Sequence, residues 1–213
     1  MLRQPHFSVL SSRRSSRGFT LIEILLVIAV IGILASITFG VSNGIRDAQN
    51  RARAKSELAV LSQSIEQFKL RKGDFPWTRG AESAEETLVK ALLGWKDFER
   101  SGGDADFRDI TVVPRDGPKS FIDTAQFLVT AVDDPEKRLP TENTTRPTDL
   151  VFMDPWGEPY VYEYKDTDAW ENFGYVLYSK GPDGVHIAVS ADGVVTRANR
   201  QSDENLDNIY PGE

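Results

Sequence analysis

Cysteine is absent from this chain of 213 residues, and histidine occurs only at positions 6 and 186. Without cysteine, the protein can form no disulfide, no thiolate nucleophile and no cysteine-ligated zinc site. The two histidines are too few and too far apart in the sequence to predict a histidine-based metal or catalytic cluster. A phosphate-binding Gly-Lys-Ser/Thr loop is also missing. We therefore predict that the protein is not an enzyme and has no catalytic or cofactor-binding residues.

Acidic residues outnumber basic ones by 32 to 25, which gives a formal net charge of −7. A nucleic-acid partner requires a basic face, so this charge balance argues against nucleic-acid binding. With 213 residues and one long hydrophobic run, the chain can hold at most one modest globular domain.

The hydrophobic run, from Ile24 to Val41, contains no charged residue and is about as long as a helix that crosses a bilayer. The segment before it, residues 1–18, carries four arginines and no acid, and such basic flanks stay in the cytoplasm. We therefore predict a single transmembrane helix over about 19–41, with a cytoplasmic N-terminus and a C-terminal domain on the other side of the membrane.

Glu23 stands at the start of this run and is the fifth residue after Gly18. The run contains no lysine or arginine that could pair with its carboxylate, and a lone charge within a membrane is costly. One interpretation is that Glu23 is the polar edge of the anchor and reaches the lipid headgroups. The other is that a second molecule supplies the partner. Cleavage between Gly18 and Phe19 would create a positive α-amine at Phe19, which suits Glu23 of a neighbouring copy.

The residues Arg-Gly-Phe-Thr-Leu-Ile-Glu at 17–23, followed by the apolar run, resemble the class III signal of type IV pilins and pseudopilins. The resemblance implies that residues 1–18 are a leader and that a prepilin peptidase of the inner membrane cuts after Gly18. It also implies that Phe19 becomes the methylated N-terminus and that Glu23 is the carboxylate that aids filament assembly.

The helical pattern continues beyond the membrane, because four apolar residues recur on one helix face: Leu58, Leu61, Ile65 and Phe68. This spacing predicts one helix over 19–72, with a stalk at 42–72 that packs on the globular domain. Gly73 is a suitable C-cap for its end. The stretch 58–77 resembles the second half of the long helix in major pseudopilins of type II secretion systems.

The remainder, residues 73–213, is predicted to form the globular domain. Ser83 and Glu86 have the spacing of a capping box, which predicts a short helix closed by Gly94. Residues from 95 to about 148 are rich in proline, glycine and charge, so we interpret them as an insertion that forms a surface loop. Within the insertion, 120–130 could be a short helix.

Strand signals follow the insertion, at 150–153, 159–164 and 173–179, and the Asp192-Gly193 pair predicts a further hairpin between 185–189 and 194–196. The predicted class is α+β with a pilin-like fold. In that fold, the long N-terminal helix packs on a small antiparallel β-sheet with long C-terminal loops.

Two polar segments near the C-terminus carry a further resemblance. Asp-Pro-Trp-Gly-Glu-Pro-Tyr at 154–160 is similar to a hairpin of major pseudopilins, and Ser-Lys-Gly-Pro-Asp-Gly at 179–184 is similar to their calcium-binding loop. On composition alone, the second segment is an ordinary polar turn.

The resemblance implies that the Asp183 side chain and the Lys180 carbonyl bind calcium together with acids from a later turn. Asp203 and Glu204 fit one alignment of that turn, and Asp207 fits the other. Calcium would then hold together loops that no disulfide can join.

The resemblance as a whole implies a major pseudopilin, a structural subunit of the periplasmic filament of a type II secretion system. The partners implied are identical copies, the prepilin peptidase, minor pseudopilins, and a membrane platform protein with its ATPase. One alternative is a type IV pilus subunit for adhesion, motility or DNA uptake, although those often carry a disulfide loop. A second alternative is a monomeric, single-pass periplasmic binding protein, which leaves Gly18, Phe19 and Glu23 without a purpose.

Overall fold

The computed structural model describes residues 19–212 except 81, 102–103 and 143, and it does not describe the side chains at 37–43, 100–101 and 104–105. The predicted leader, including Gly18, lies outside the described residues. Two compact units adjoin in sequence between Ile45 and Arg46.

Helix α1 runs from Leu21 to Lys72, which confirms the long helix expected from the sequence. It ends at Gly73, whose φ of 99° lies in the left-handed region that glycine tolerates. The helix contains Gly-Val-Ser-Asn-Gly at 40–44, which matches the Gly-x-Ser-x-Gly motif of a hydrolase nucleophile elbow. An elbow needs a strand-to-helix turn, so these helical residues do not form one.

Within the residues that the structure describes, no helix combines the length and the apolar character needed to cross a membrane. The side chains at 37–41 of the predicted span lie outside the description, and the span stays a prediction.

The apolar face of α1 in the second unit forms the centre of the core. Leu58, Leu61, Ile65 and Phe68 are fully buried, as their spacing predicted. Helix α2, from Ala84 to Leu92, packs beside them with Leu88 and Leu92 buried.

Helix α2 begins and ends where its sequence predicted. The hydroxyl oxygen of Ser83 accepts a hydrogen bond from the Glu86 backbone N–H at 3.1 Å, which satisfies one of the unpaired amides of the first turn. After Leu93, Gly94 adopts a φ of 79°. A Cβ there would lie 2.4 Å from the Lys119 carbonyl oxygen, so the close packing also requires glycine.

Among the described residues, six short strands form three antiparallel pairs. Strand β1 (Lys96–Ser101) pairs with β2 (Asp104–Asp109), β3 (Leu128–Thr130) with β4 (Val151–Met153), and β5 (Val161–Glu163) with β6 (Val176–Tyr178). A bridge between Met153 and Pro159 connects β4 to the chain that enters β5. A short helix α3 (Arg197–Arg200) and a 3-10 turn at Asp203–Asn205 follow. The α+β class with a long N-terminal helix is confirmed.

The segment 95–148, interpreted above as an insertion that forms a surface loop, contains strands at 96–101, 104–109 and 128–130, so the loop prediction was wrong there, whereas 111–116 and 132–136 are exposed and irregular. Its β1–β2 hairpin and the segment after it place three phenylalanine rings within 6.2 Å of the Phe68 ring, centroid to centroid: Phe98, Phe107 and Phe121. Further along, 120–130 forms a 3-10 turn at Thr124–Gln126 and then β3, instead of the expected helix.

A largely buried ionic network ties the insertion to α2. Lys90 pairs with Glu82 at 2.6 Å, and Lys96 bridges Glu82 at 2.9 Å and Asp109 at 3.4 Å. Arg146 completes the chain by pairing with Asp109 at 2.7 Å. Burial alone would raise the pKa of Glu82, but the two lysines hold that pKa below its ordinary value. Removing one member would leave a poorly solvated charge without its partner.

The prediction of a hairpin between 185–189 and 194–196 is also wrong, because the described residues there form no strands. Their backbone groups bond to other partners. The Ile187 N–H donates to the Asn205 side-chain oxygen at 2.9 Å, and the Asp192 carbonyl accepts from the Glu171 N–H at 2.8 Å. Gly193 packs against the Trp170 ring, which a Cβ would approach to 2.5 Å.

Phe68→Ala should lower the free energy of unfolding by about 3–5 kcal/mol, because it removes the ring that the three phenylalanines of the insertion surround. Denaturant titration of the full chain in detergent measures the change. Leu70→Ala is the matched control, because Leu70 is two residues away and 83% exposed, and its effect should stay within about 0.5 kcal/mol. Equal losses in the two variants would show that the insertion does not depend on Phe68.

Candidate functional site

The N-terminal site lies at the first turn of α1. The Thr20 backbone N–H and hydroxyl both donate to Glu23 Oε2 at 2.8 Å, and the Glu23 N–H contacts Thr20 Oγ1 at 3.3 Å. This reciprocal arrangement is a capping box. Sequence reasoning treated Glu23 only as a charge without a counter-ion and overlooked the Thr-x-x-Glu spacing that signals this role.

The same turn is open to its surroundings. Phe19 and Leu21 are each 81% exposed. Within the described residues, the hydrogen bonds of the Glu23 carboxylate use Oε2 and leave Oε1 without a donor. The carboxylate can therefore accept a further donor while it caps the helix.

A second site forms where three C-terminal segments meet around Asp154. This side chain is only 2% exposed. Its Oδ1 accepts hydrogen bonds from the backbone N–H groups of Trp156 at 2.9 Å and Glu158 at 3.0 Å, and its Oδ2 accepts the Ser179 hydroxyl at 2.6 Å. Asp154 thus shapes its own turn and also holds the start of the 179–184 loop.

Ser179 extends the junction to the C-terminal segment. Its backbone N–H and carbonyl both bond to Ile209 at 3.0 Å. Next to this bridge, Gly181 has a φ of 74°, and a Cβ there would lie 2.5 Å from the Asp207 carbonyl oxygen. Glycine is therefore required for the two segments to approach this closely.

This bridge brings Asp183 and Asp207 together. The Asp183 N–H donates to Asp207 Oδ2 at 3.3 Å, and Asp183 Oδ1 accepts the Val185 N–H at 2.8 Å. The remaining Asp207 oxygen, Oδ1, is buried without a hydrogen-bond partner among the described residues, as is Oδ1 of Asn208. Carboxylate and amide oxygens are ligands that calcium prefers, and these two oxygens have no described hydrogen bond that would compete with an ion.

The other predicted metal residues are placed differently. Asp203 and Glu204 lie exposed on the 3-10 turn, and no described contact joins them to the 179–184 loop. The Lys180 ammonium pairs with Glu158 at 3.2 Å. Within the described residues, no three His, Cys, Asp or Glu side chains form a ready metal cluster. The geometry favours the alignment through Asp207 over the one through Asp203 and Glu204.

The first turn of α1 lies in a segment that matches a known family model. Residues 13–39 match the Prokaryotic N-terminal methylation motif.

Over longer stretches, the chain is similar to the protein named Type II secretion system core protein G. It is 28% identical to the Escherichia coli K12 protein over 169 residues, which cover 79% of this chain and 83% of the relative. It is 26% identical to the Aeromonas hydrophila protein over 148 residues, which cover 70% of this chain and 73% of the relative. The Klebsiella michiganensis protein is 38% identical over 66 residues, covering 31% of this chain and 46% of the relative. The predicted likeness to a pseudopilin of type II secretion is confirmed. No solved structure gives a significant match.

Asp154→Ala should lower the free energy of unfolding by about 2–4 kcal/mol. The change leaves buried hydrogen-bond donors without an acceptor, and each costs roughly 1–3 kcal/mol when it is unpaired. Thermal melts of the full chain measure the loss. Asp133→Ala removes an exposed aspartate with no described hydrogen bond and serves as the control. If both variants melt together with the wild type, Asp154 does not organise the junction.

Proposed function

We propose that this chain is a structural subunit of the filament of a type II secretion system, assembled from identical copies at the inner membrane. The observation that carries the proposal is the Thr20–Glu23 turn at the start of the 52-residue helix α1, within residues that match the N-terminal methylation motif. The similarity to core protein G over most of the chain supports the choice of secretion over a pilus. The chain's role is mechanical, not catalytic.

Processing comes first in the proposed sequence of events. The inner-membrane prepilin peptidase cuts between Gly18 and Phe19 and methylates the new amine. This amine of one copy then pairs with Glu23 of the next. Coulomb attraction between the two charges is strong in a low-dielectric membrane, where no water competes. The exposed Phe19 and the spare Oε1 of Glu23 support this pairing.

The proposed location follows from the same segment. The apolar residues of α1 after Glu23 anchor the chain in the inner membrane, the arginine-rich leader stays in the cytoplasm, and the second unit lies in the periplasm. The force for export comes from partners: a membrane platform protein with its cytoplasmic ATPase. Minor pseudopilins are the other expected filament components.

We also propose a calcium ion at the junction of the C-terminal loops. Asp183 and Asp207 would supply carboxylate oxygens, and the Lys180 carbonyl would supply a backbone oxygen. The support is the buried, unpaired Asp207 Oδ1 and the contact of Asp207 with the Gly181–Asp183 turn. In a chain without cysteine, such an ion would replace a disulfide as the link between loops.

For assembly, we expect the chain recovered from its host membrane to begin with methylated Phe19. Glu23→Lys should abolish polymers, because it places two positive charges where one pair is required. Glu23→Gln keeps the helix cap but loses the charge, and should assemble at least about ten-fold less than wild type. Mass spectrometry of the N-terminal peptide and electron microscopy of filaments provide the two readouts.

Two results would contradict the assembly proposal. A first residue of Met1 in the mature protein would remove the processed amine. Normal filaments from Glu23→Lys would show that the carboxylate takes no part in assembly.

For calcium, we expect the full chain in detergent to melt about 3–6 °C higher when calcium is ten-fold above its dissociation constant, since that excess adds about 1.4 kcal/mol of stability. The dissociation constant should be on the order of 10⁻⁴–10⁻³ M, as in other extracellular modules. Excess chelator should reverse the shift, and Asp207→Asn should remove it. A melting temperature that does not respond to calcium or chelator would eliminate the ion.

A further inference from the structure

The insertion builds a groove of about 370 Å³ at the C-terminal ends of α1 and α2. Its apolar lining comes from Ile110, Pro114, Pro118 and Phe121, and its charged lining is wholly cationic: Arg71, Lys72 and Lys119. None of the described residues that line it is acidic. In a chain with a net charge of −7, this basic groove is a local reversal of charge.

The groove is rigidly built. The Phe121 N–H and the Ser120 hydroxyl both donate to the Leu92 carbonyl at the end of α2, at 2.7 and 3.2 Å. The Lys119 backbone is in direct contact with Gly94. A wall fixed in this way does not collapse to fill its own groove, so the apolar lining stays accessible.

Two of its three cations are available to a ligand. Lys72 is already paired with Asp97 at 2.6 Å. Arg71 and Lys119 are exposed and form no ion pair among the described residues. The Arg71 guanidinium lies 5.4 Å from the centre of the Phe121 ring, which keeps positive charge beside the apolar lining.

The complementary surface is on the same chain, at residues 203–207. This acidic segment carries Leu206, which is 71% exposed, between acids at 203, 204 and 207. Asp203 and Glu204 form no described ion pair, and the proposed calcium centre does not need them. The acidic segment therefore complements the basic groove in two ways: its apolar side chain fits the apolar lining, and its carboxylates fit the cations.

We propose that the basic groove of one copy receives the acidic segment of a second copy, with Leu206 in the apolar lining and Asp203 and Glu204 beside Arg71 and Lys119. The proposal rests on the self-assembly proposed above and adds a contact between globular domains. In this head-to-tail arrangement, each copy places its acidic segment in the groove of one neighbour and receives the segment of another, so the contacts extend into an open chain when the rotation between copies does not close a ring.

The absence of native cysteine makes the contact testable by disulfide cross-linking. The full chain carrying Leu206→Cys and Pro114→Cys, oxidised in host membranes, should give a ladder of dimers, trimers and longer species. The control pairs Leu206→Cys with Val132→Cys, an exposed apolar site outside the groove, and should give at least about ten-fold less of the ladder.

Charge exchange provides a readout that misfolding cannot imitate. In the cross-linking background, Arg71→Glu with Lys119→Glu should lower the ladder about ten-fold through like-charge repulsion, and so should Asp203→Lys with Glu204→Lys. All four changes together restore opposite charges and should return the ladder to within about two-fold of the unswapped level.

The outcomes separate this contact from the proposed function. Filaments visible by electron microscopy with no ladder above control would overturn the contact and leave the filament proposal intact. A chain that forms no polymers by either measure would overturn both. A ladder that stops at dimers would replace the head-to-tail contact with a closed one.

Discussion

The globular unit depends on the burial of one face of α1. Four large apolar side chains, from Leu58 to Phe68, are fully removed from solvent, and each contributes roughly 1.5–3 kcal/mol by its transfer from water. The insertion reaches this face through its phenylalanine rings, α2 through Leu88 and Leu92, and the last strands through Tyr162 and Leu177. The same helix continues in sequence from this buried face to the segment that matches the N-terminal methylation motif.

Polar side chains fix the geometry around this core, a role that disulfides have in many small secreted domains. Glu57, only 4% exposed, accepts the Tyr160 hydroxyl at 2.6 Å and Arg53 at 2.7 Å. Burial raises the pKa of Tyr160, with Glu57 adding to the effect, so this hydroxyl stays a donor at any physiological pH. The Lys90–Glu82–Lys96 network holds the segment 95–148 in place, and the Asp154–Ser179 hydrogen bond holds the C-terminal loops. The Tyr160–Glu57 and Asp154–Ser179 hydrogen bonds join segments far apart in sequence, as a disulfide would.

The features that could be predicted from the sequence are those with a local cause. The end of α1 at Gly73, the cap at Ser83 and the strand at 151–153 depend on residues within a few positions of one another. The β1–β2 hairpin could not be predicted, because its few inward residues are Phe98 and Phe107, and their partner Phe68 is about thirty to forty residues away in sequence. The choice between Asp203 and Asp207 has the same origin. The Ser179–Ile209 bridge places Asp207, and not Asp203, beside the 179–184 loop, and no local pattern reveals this bridge.

The capping box at Thr20 explains how the Glu23 carboxylate could cap α1 and also take part in the proposed assembly. The proposed cleavage before Phe19 would leave the Thr20 amide intact, so the bonds from Thr20 to Glu23 Oε2 would persist in the processed chain. The carboxylate is then already oriented at the helix N-terminus, and its rotamer entropy is already lost before any partner arrives. In the proposed assembly, an arriving amine would need only Oε1 and would complete the pairing without breaking the cap. If the chain assembles as proposed, a glutamate three residues after threonine at a helix start suits that assembly better than an uncapped charge would, because the cap lowers the cost of holding the charge until the next copy is added.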